Sequence, residues 1–294
     1  MISSIYEISP EISTLDDLRS SPELLTTALT AYTTNATGPL TQIPSSVCYI
    51  PFSKVIPASK LNSIASQIST KINHPECQYS TLRHNILANR FNPETCLGQI
   101  EFNFDTSNYS PHFTPEIGKK YATMMQMLQY PFSVGSIHIP ASETKTTMHE
   151  APTIDPKYYQ GVNGNVDFLT MVESHAFAHR IVSTPPLSSM IVKRVFPALP
   201  EVGQEDDLRD HVRNHTTTDW HPIGTCAMSH LTTKGGVVGV VDSRLRVHGV
   251  KGLRVIDASV MPLHVSAHIQ ATVYAIAEKG ASMILQDHES KHKG

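Results

Sequence analysis

Little in this chain invites cross-linking, a charged patch or a membrane span. It holds four cysteines, Cys48, Cys77, Cys96 and Cys226, and no Cys-x-x-Cys pair. That is too few, too widely spaced, for a disulfide framework or a zinc ribbon, so isolated thiols are expected, with no further support for a Cys77–Cys96 bridge. Charged residues are only 17% of the 294, and the formal net charge is -3. Lysine and arginine are scattered and no block of like charge appears, which leaves no footprint for nucleic acid. No apolar run approaches membrane-spanning length. The opening Met1-Ile2-Ser3-Ser4-Ile5-Tyr6-Glu7 has neither the positive region nor the apolar region of a signal peptide. The expectation is therefore a cytoplasmic protein with no nucleic-acid and no membrane partner.

What is present is ordinary globular composition, 40% hydrophobic, with sixteen histidines. The length suits one large domain or two modest ones. Thr14-Leu15-Asp16-Asp17-Leu18 begins a short capped helix. Ser21-Pro22-Glu23 opens a second with an N-cap serine and a proline at the first helical position. Leu24, Leu25, Ala28, Leu29 and Tyr32 form its apolar stripe. Residues 58–70 give another amphipathic helix, with Leu61, Ile64, Ile68 and Ile72 on one face. Residues 99–104 alternate polar and apolar, which predicts a half-buried strand. Residues 47–52 and 133–140 also read as strands, and polar 71–97 as loop.

Further helices are predicted over 165–182, with Phe168, Leu169, Val172 and Ala176 inward, and over 204–215, acidic first and basic last. A strand at 252–256 and a helix at 269–285 follow, the helix with Tyr274, Ala277, Ala281 and Ile284 on one face. The expected class is α+β, a mixed or antiparallel sheet backed by helices on one side across roughly the first 150 residues. Two regions are expected, a substrate-binding domain over 1–215 and a catalytic segment over 216–294.

The chemistry concentrates in that last segment. Trp220-His221-Pro222-Ile223-Gly224-Thr225-Cys226-Ala227-Met228 holds a histidine before proline, hence in extended backbone. Asp257 ends the apolar 253–256 stretch, and strand ends in α/β sheets are where ligands bind. His268 stands at a helix start, whose N–H groups and positive dipole end favour an anionic oxygen. Two histidines brought together would couple their titrations and hold one proton between them, as a general base facing an alcohol or a general acid facing a carbonyl requires. A metal reading is weaker. His264 and His268 are four apart, as are His211 and His215, but Pro262 and Val265-Ser266 oppose a helix at 264–268 and no third ligand suggests itself. No metal is expected.

Five strings, in this order along the chain, resemble the glucose–methanol–choline (GMC) oxidoreductase family: Ser133-Val134-Gly135-Ser136-Ile137-His138-Ile139; Ile154-Asp155-Pro156-Lys157-Tyr158; His221-Pro222-Ile223-Gly224-Thr225-Cys226; residues 236–246; and Gly252-Leu253-Arg254-Val255-Ile256-Asp257-Ala258-Ser259. The resemblance is to the family's C-terminal region and covers nearly the whole chain, least between Pro44 and Leu97. It implies a pair of catalytic histidines, His268 and His221, whose roles are exchangeable between members. It also implies contacts to FAD from Asp257, Ala258, Gln270, Ala271 and Thr272.

The sequence departs from the family in having no Gly-x-Gly-x-x-Gly, the pattern that holds the adenosine end of the cofactor. Gly161-Val162-Asn163-Gly164 is the nearest glycine pairing, and it leads into a helix from a loop. Val134 stands where the family often has arginine, and the doubled Gly-Val-Val at 236–241 lengthens a loop. The leading expectation is a truncated GMC-like enzyme of secondary metabolism, with no cofactor of its own. Its histidine pair would carry out a non-redox cyclisation, elimination or isomerisation of a small hydroxyl- or carbonyl-bearing molecule, such as a polyketide-type or terpenoid intermediate. One alternative is the catalytic half of an FAD-dependent alcohol oxidase or dehydrogenase that works with a separate FAD-binding half. A second is a non-catalytic binding protein. The 253–256 strand would have bare edges, which implies a homodimer or a separate FAD-domain chain.

Overall fold

An interior strand of the main sheet is formed by the first residues of the chain, a stretch with no strong strand pattern. The computed structural model describes residues 1–41, 45–69, 78–140, 150–198, 205–230 and 239–292. Its main elements are β1 (Ile2–Ile8), α1 (Leu15–Ser20), α2 (Pro22–Asn35), β2 (Ser45–Ile50), α3 (Phe52–Val55), α4 (Ala58–Ala65), α5 (Gln78–Phe91), β3 (Ile100–Asp105), β4 (Tyr121–Leu128), β5 (Ser136–His138), β6 (Thr153–Asp155), α6 (Gly164–Val182), β7 (Ile191–Phe196), α7 (Glu205–His215) and α8 (Gln270–His292). The chain divides into two compact units. One comprises Met1–Asn62, Cys96–Leu128 and Phe168–Asp219, the other Ser63–Thr95, Gln129–Asp167 and Trp220–Gly294.

The first unit is built on a five-stranded sheet of order β2-β3-β4-β1-β7. Every pairing in it is antiparallel, with Ile2 opposite Gln126, Ile5 opposite Phe196 and Phe102 opposite Gln126. The class is α+β, as expected, but β1, β4 and β7 go beyond the predicted strands, and β7 comes from well beyond residue 150. β3 is a correction of another kind. It is covered on both faces, not half-buried, with Glu101 and Asp105 each 1% exposed. Its polar alternation does not mark a wet face, because a buried polar group is tolerated where it is hydrogen-bonded, as Asp105 is. Ser107 Oγ donates to Asp105 Oδ1 at 2.7 Å, and Thr123 Oγ1 donates to the Ser107 carbonyl at 2.6 Å.

α6 crosses the other face of this sheet. Its Phe177 ring lies 5.4 Å from Phe102, and its His175 reaches Gln126 Oε1 at 2.8 Å and Ser4 Oγ at 3.4 Å. α1 has the predicted cap in full: Thr14 accepts from Asp16, and Asp17 accepts from the Thr14 backbone at 2.8 Å. α2 is capped by Ser21 but does not bury its stripe. Leu24, Leu25, Leu29 and Tyr32 are exposed, and only Ala28 is buried.

In the second unit, α5 replaces much of the loop predicted over 71–97, of which 78–97 lie among the described residues. Its polar composition hides a narrow buried face, Leu87 and Phe91 one turn apart. Phe91 packs on Phe132 at 6.4 Å, and Arg83 donates to the carbonyls of Pro131 and Phe132 at 2.9 and 3.1 Å. Buried Asp167 receives the Phe132 and Ser133 N–H groups and Ser133 Oγ at 2.6–2.9 Å. β5 and β6 form a separate antiparallel pair, Ser136 opposite Asp155. There Gly135 is obligatory: a Cβ would stand 2.4 Å from the Asp155 carbonyl.

The expected strand at 252–256 does not form. Arg254 makes one isolated bridge to Arg246, and Val255 N–H bonds to the Leu245 carbonyl at 3.1 Å. Leu253 is 50% exposed, so this is no buried strand, and the bare-edge argument loses its basis. Val241, Leu245 and Val260 are the buried centre of this region, with Val255, Ile256, Ile276 and Met283 against them. α8 therefore turns Ile276, Gly280 and Met283 inward. The face shared by Tyr274, Ala277, Ala281 and Ile284 is the outer one, all four exposed.

Candidate active site

The two sequence motifs meet because short backbone ladders lace them together. The Cys226 N–H bonds to the Ser259 carbonyl at 3.0 Å, and the Met228 N–H to the Val260 carbonyl at 2.9 Å. The stretch before this ladder turns sharply, with Trp220 at φ 54° and Gly224 at φ 83°. Glycine suits the second position, since left-handed backbone costs it nothing and a Cβ there would touch the Met261 carbonyl at 3.4 Å. His221 lies in this irregular segment, as its proline neighbour predicts.

His268 lies just ahead of α8, whose first backbone bond runs from Val273 N–H to the Ile269 carbonyl at 2.9 Å. Ile269 is buried, which fixes the helix start, and His268 beside it is exposed. The imidazole rings of His221 and His268 come within 4.8 Å, centroid to centroid, at an interplanar angle of 61°. Both predicted histidines are thus brought together, edge to face, with one open to solvent.

Asp257 is exposed at the start of a single 3-10 turn, Ala258–Val260. Its Oδ1 accepts from Ser259 N–H at 2.8 Å and from Ser259 Oγ at 2.5 Å. Ala258 sits in that turn. Gln270, Ala271 and Thr272 form the first turn of the 23-residue α8, with Gln270 and Ala271 exposed. A first helical turn presents backbone N–H groups without intrahelical partners, at the positive end of the dipole.

The structure adds residues with no sequence signal. On α5, Arg90 lays its guanidinium 4.5 Å over the Tyr130 ring and donates from Nη1 to the His264 carbonyl at 3.1 Å. The Tyr130 hydroxyl hydrogen-bonds Ser266 Oγ. Burial pushes the Tyr130 hydroxyl pKa up, opposed by the nearby Arg90 charge. Burial also pushes the Asp167 carboxyl up, to about 6, against its three donors and the Arg83 charge. Neither arrangement belongs to a short motif. Each joins stretches far apart in sequence.

The 264–268 stretch is not helical, and among the described residues no group of three or more His, Cys, Asp or Glu could hold a metal ion. His211 and His215 do share a helix face, their rings 4.7 Å apart, but His211 is buried against the Ser3 carbonyl at 3.1 Å. Cys48, Cys96 and Cys226 are free thiols. Cys77 and residues 231–238, which include Gly236, lie outside the described residues.

The sequence profile described as GMC oxidoreductase matches residues 131–277. The dehydrogenase mpl7 of Monascus purpureus is 31% identical over 300 residues, covering 96% of this chain and 46% of the relative. Choline oxidase of Arthrobacter globiformis is 34% identical over 135 residues, covering 46% of this chain and 24% of the relative. Formate oxidase of Aspergillus oryzae RIB40 superposes with a TM-score of 0.73 at 22% identity, over 98% of this chain and 46% of that one. The chain spans about half the length of the first of these relatives.

Proposed function

The chain belongs to the GMC oxidoreductase family, and from that premise we propose that it carries the acid/base and substrate-facing part of an FAD-dependent alcohol oxidoreductase. The observation that carries this reading is the edge-to-face pair His221 and His268, ring centroids 4.8 Å apart. Oxidising an alcohol to a carbonyl removes a proton from oxygen and a hydride from carbon. One imidazole nitrogen of His268 takes the hydroxyl proton, and His221, edge-on beside it, holds the alcohol oxygen and stabilises the resulting imidazolium. The roles are interchangeable on this geometry. Placing the base against the hydroxyl is worth about 10²–10⁴ in rate.

The donor set suits the ring end of FAD. The first-turn N–H groups of Gln270, Ala271 and Thr272 favour negative charge, and the exposed carboxylate of Asp257 suits a hydroxylated chain. When bound, FAD supplies the acceptor for the hydride. No Gly-x-Gly-x-x-Gly for its adenosine end occurs in the 294 residues, so that end would be held by residues outside this sequence. A second reading rests on the same histidine pair, which would perform a non-redox cyclisation, elimination or isomerisation of a small hydroxyl- or carbonyl-bearing molecule.

The deciding assay follows alcohol turnover with and without added FAD and an electron acceptor, for the native chain and for His268→Ala and His221→Ala. Flavin-dependent turnover that drops about 10²–10⁴-fold in either variant is the expected result. Turnover of a hydroxyl substrate that needs no flavin would move the assignment to the non-redox reading. A loss under about tenfold in both variants would remove the pair as acid/base groups.

A further inference from the structure

We infer that Arg90 and Tyr130 form a clamp that positions His268 by holding the 264–266 segment at two points, the His264 carbonyl and the Ser266 side chain. This rests on the reading of His268 as an acid/base group. Arg90 Nη1 donates to the His264 carbonyl at 3.1 Å, four residues before His268. The Tyr130 hydroxyl bonds Ser266 Oγ, two residues before it. Arg90 is itself held, its guanidinium lying 4.5 Å over the ring of Tyr130, which is 8% exposed. One residue beyond His268, Ile269 is buried, and its carbonyl accepts the first backbone bond of α8.

The histidine is thus carried on a short irregular loop whose two ends are fixed, while its own side chain is exposed. Backbone outside helix and strand otherwise samples many conformations, and ordering it costs conformational entropy. The clamp meets that cost before substrate arrives. The geometry suits arginine in particular: a planar cation stacks on an aromatic face while its in-plane N–H reaches a carbonyl. Lysine has a point charge and cannot do both at once. An acid/base group misplaced by about 1 Å loses up to about 10²-fold in rate.

The test reads His268 directly, by its imidazole resonances and their pH titration in the cofactor-free chain, and then by turnover. Arg90→Met keeps the stem but removes the donor to His264. Tyr130→Phe keeps the ring but removes the bond to Ser266. Both are expected to move the His268 resonances and titration midpoint. Both should lower kcat about 10-fold or more while KM changes less than about twofold. Arg90→Lys should rescue neither readout fully. Lys60→Met, which removes the exposed ion pair to Glu173, is the control expected to change nothing.

Unchanged His268 resonances in folded Arg90→Met would overturn the clamp, whatever the turnover. Should Arg90→Met fail to fold, Tyr130→Phe decides alone by the same readout. If His268→Ala leaves turnover intact, the acid/base reading fails, yet the resonance shifts would still report whether the clamp exists.

Discussion

Single side chains carry most of the chemistry here, and histidine shows how differently one residue type is used. His221 and His268 meet edge to face, the first half-buried and the second exposed. His175 and His211 stack 5.0 Å apart inside the sheet unit, with His215 beyond them and the Phe196 ring 5.2 Å from His211. The buried Nδ1 of His211 has no hydrogen-bond partner, so a proton added there gains no acceptor. Burial pushes the His211 pKa down to about 4, and Arg194, His215 and His112 push the same way against the Ser3 carbonyl. His175 is lowered too, by burial first and then by His211, Arg194 and His179. A depressed native pKa means stability that is complete above the unfolded value, about 6.5, and is lost as pH falls towards 4. His211 alone should therefore cost about 2 kcal/mol between pH 7 and pH 5. Urea unfolding at the two values checks this. His211→Gln should flatten the difference by that amount while His175 keeps a remainder, and equal slopes in both proteins would refute the assignment.

At the level of elements, α8 is the informative one. It is apolar on two sides, so periodicity alone does not say which side packs. The structure turns Gly280 onto Ile256 so closely that a Cβ would stand 2.5 Å from Ile256 Cγ2. Gly280→Val is therefore expected to destabilise the second unit by about 1–3 kcal/mol, although losing a mid-helix glycine normally helps. Thermal melting measures it, and Ile256→Ala in the same chain should restore part of the loss. Strictly additive effects would exclude the contact. Arg244 and Arg254 both meet Asp287 on the last turns of this helix. Those pairs are partly exposed, so the apolar seam and not the ion pairs holds the helix down.

For the whole chain, the outward face of α8 has the larger consequence. Tyr274 is 67% exposed, Ile284 46% and Leu285 64%. Exposed apolar side chains clustered on one helix face are where association is expected. The isolated chain is expected to self-associate as its concentration rises, and Ile284→Glu with Leu285→Glu should keep it monomeric. Sedimentation velocity reads the outcome, and a wild-type chain monomeric at every concentration would count against it. The sequence by itself determined the local features: the capped starts of α1 and α2, the helices at 164–182 and 205–215, and the irregular backbone at His221. Each depends on neighbours a few residues away, through capping, proline or a helix dipole, so the pattern is written where it acts. Through the family resemblance, the long strings around His221 and His268 also led to the expectation that the two rings lie together, and they stand 4.8 Å apart. Only tertiary structure decided that the opening residues become an interior strand of a sheet, that β3 is wet on neither face, that 252–256 forms no strand, and that Arg90 reaches His264. Those outcomes are set by pairings between residues tens to hundreds of positions apart. There burial and hydrogen bonding in a particular three-dimensional neighbourhood override what any local stretch prefers.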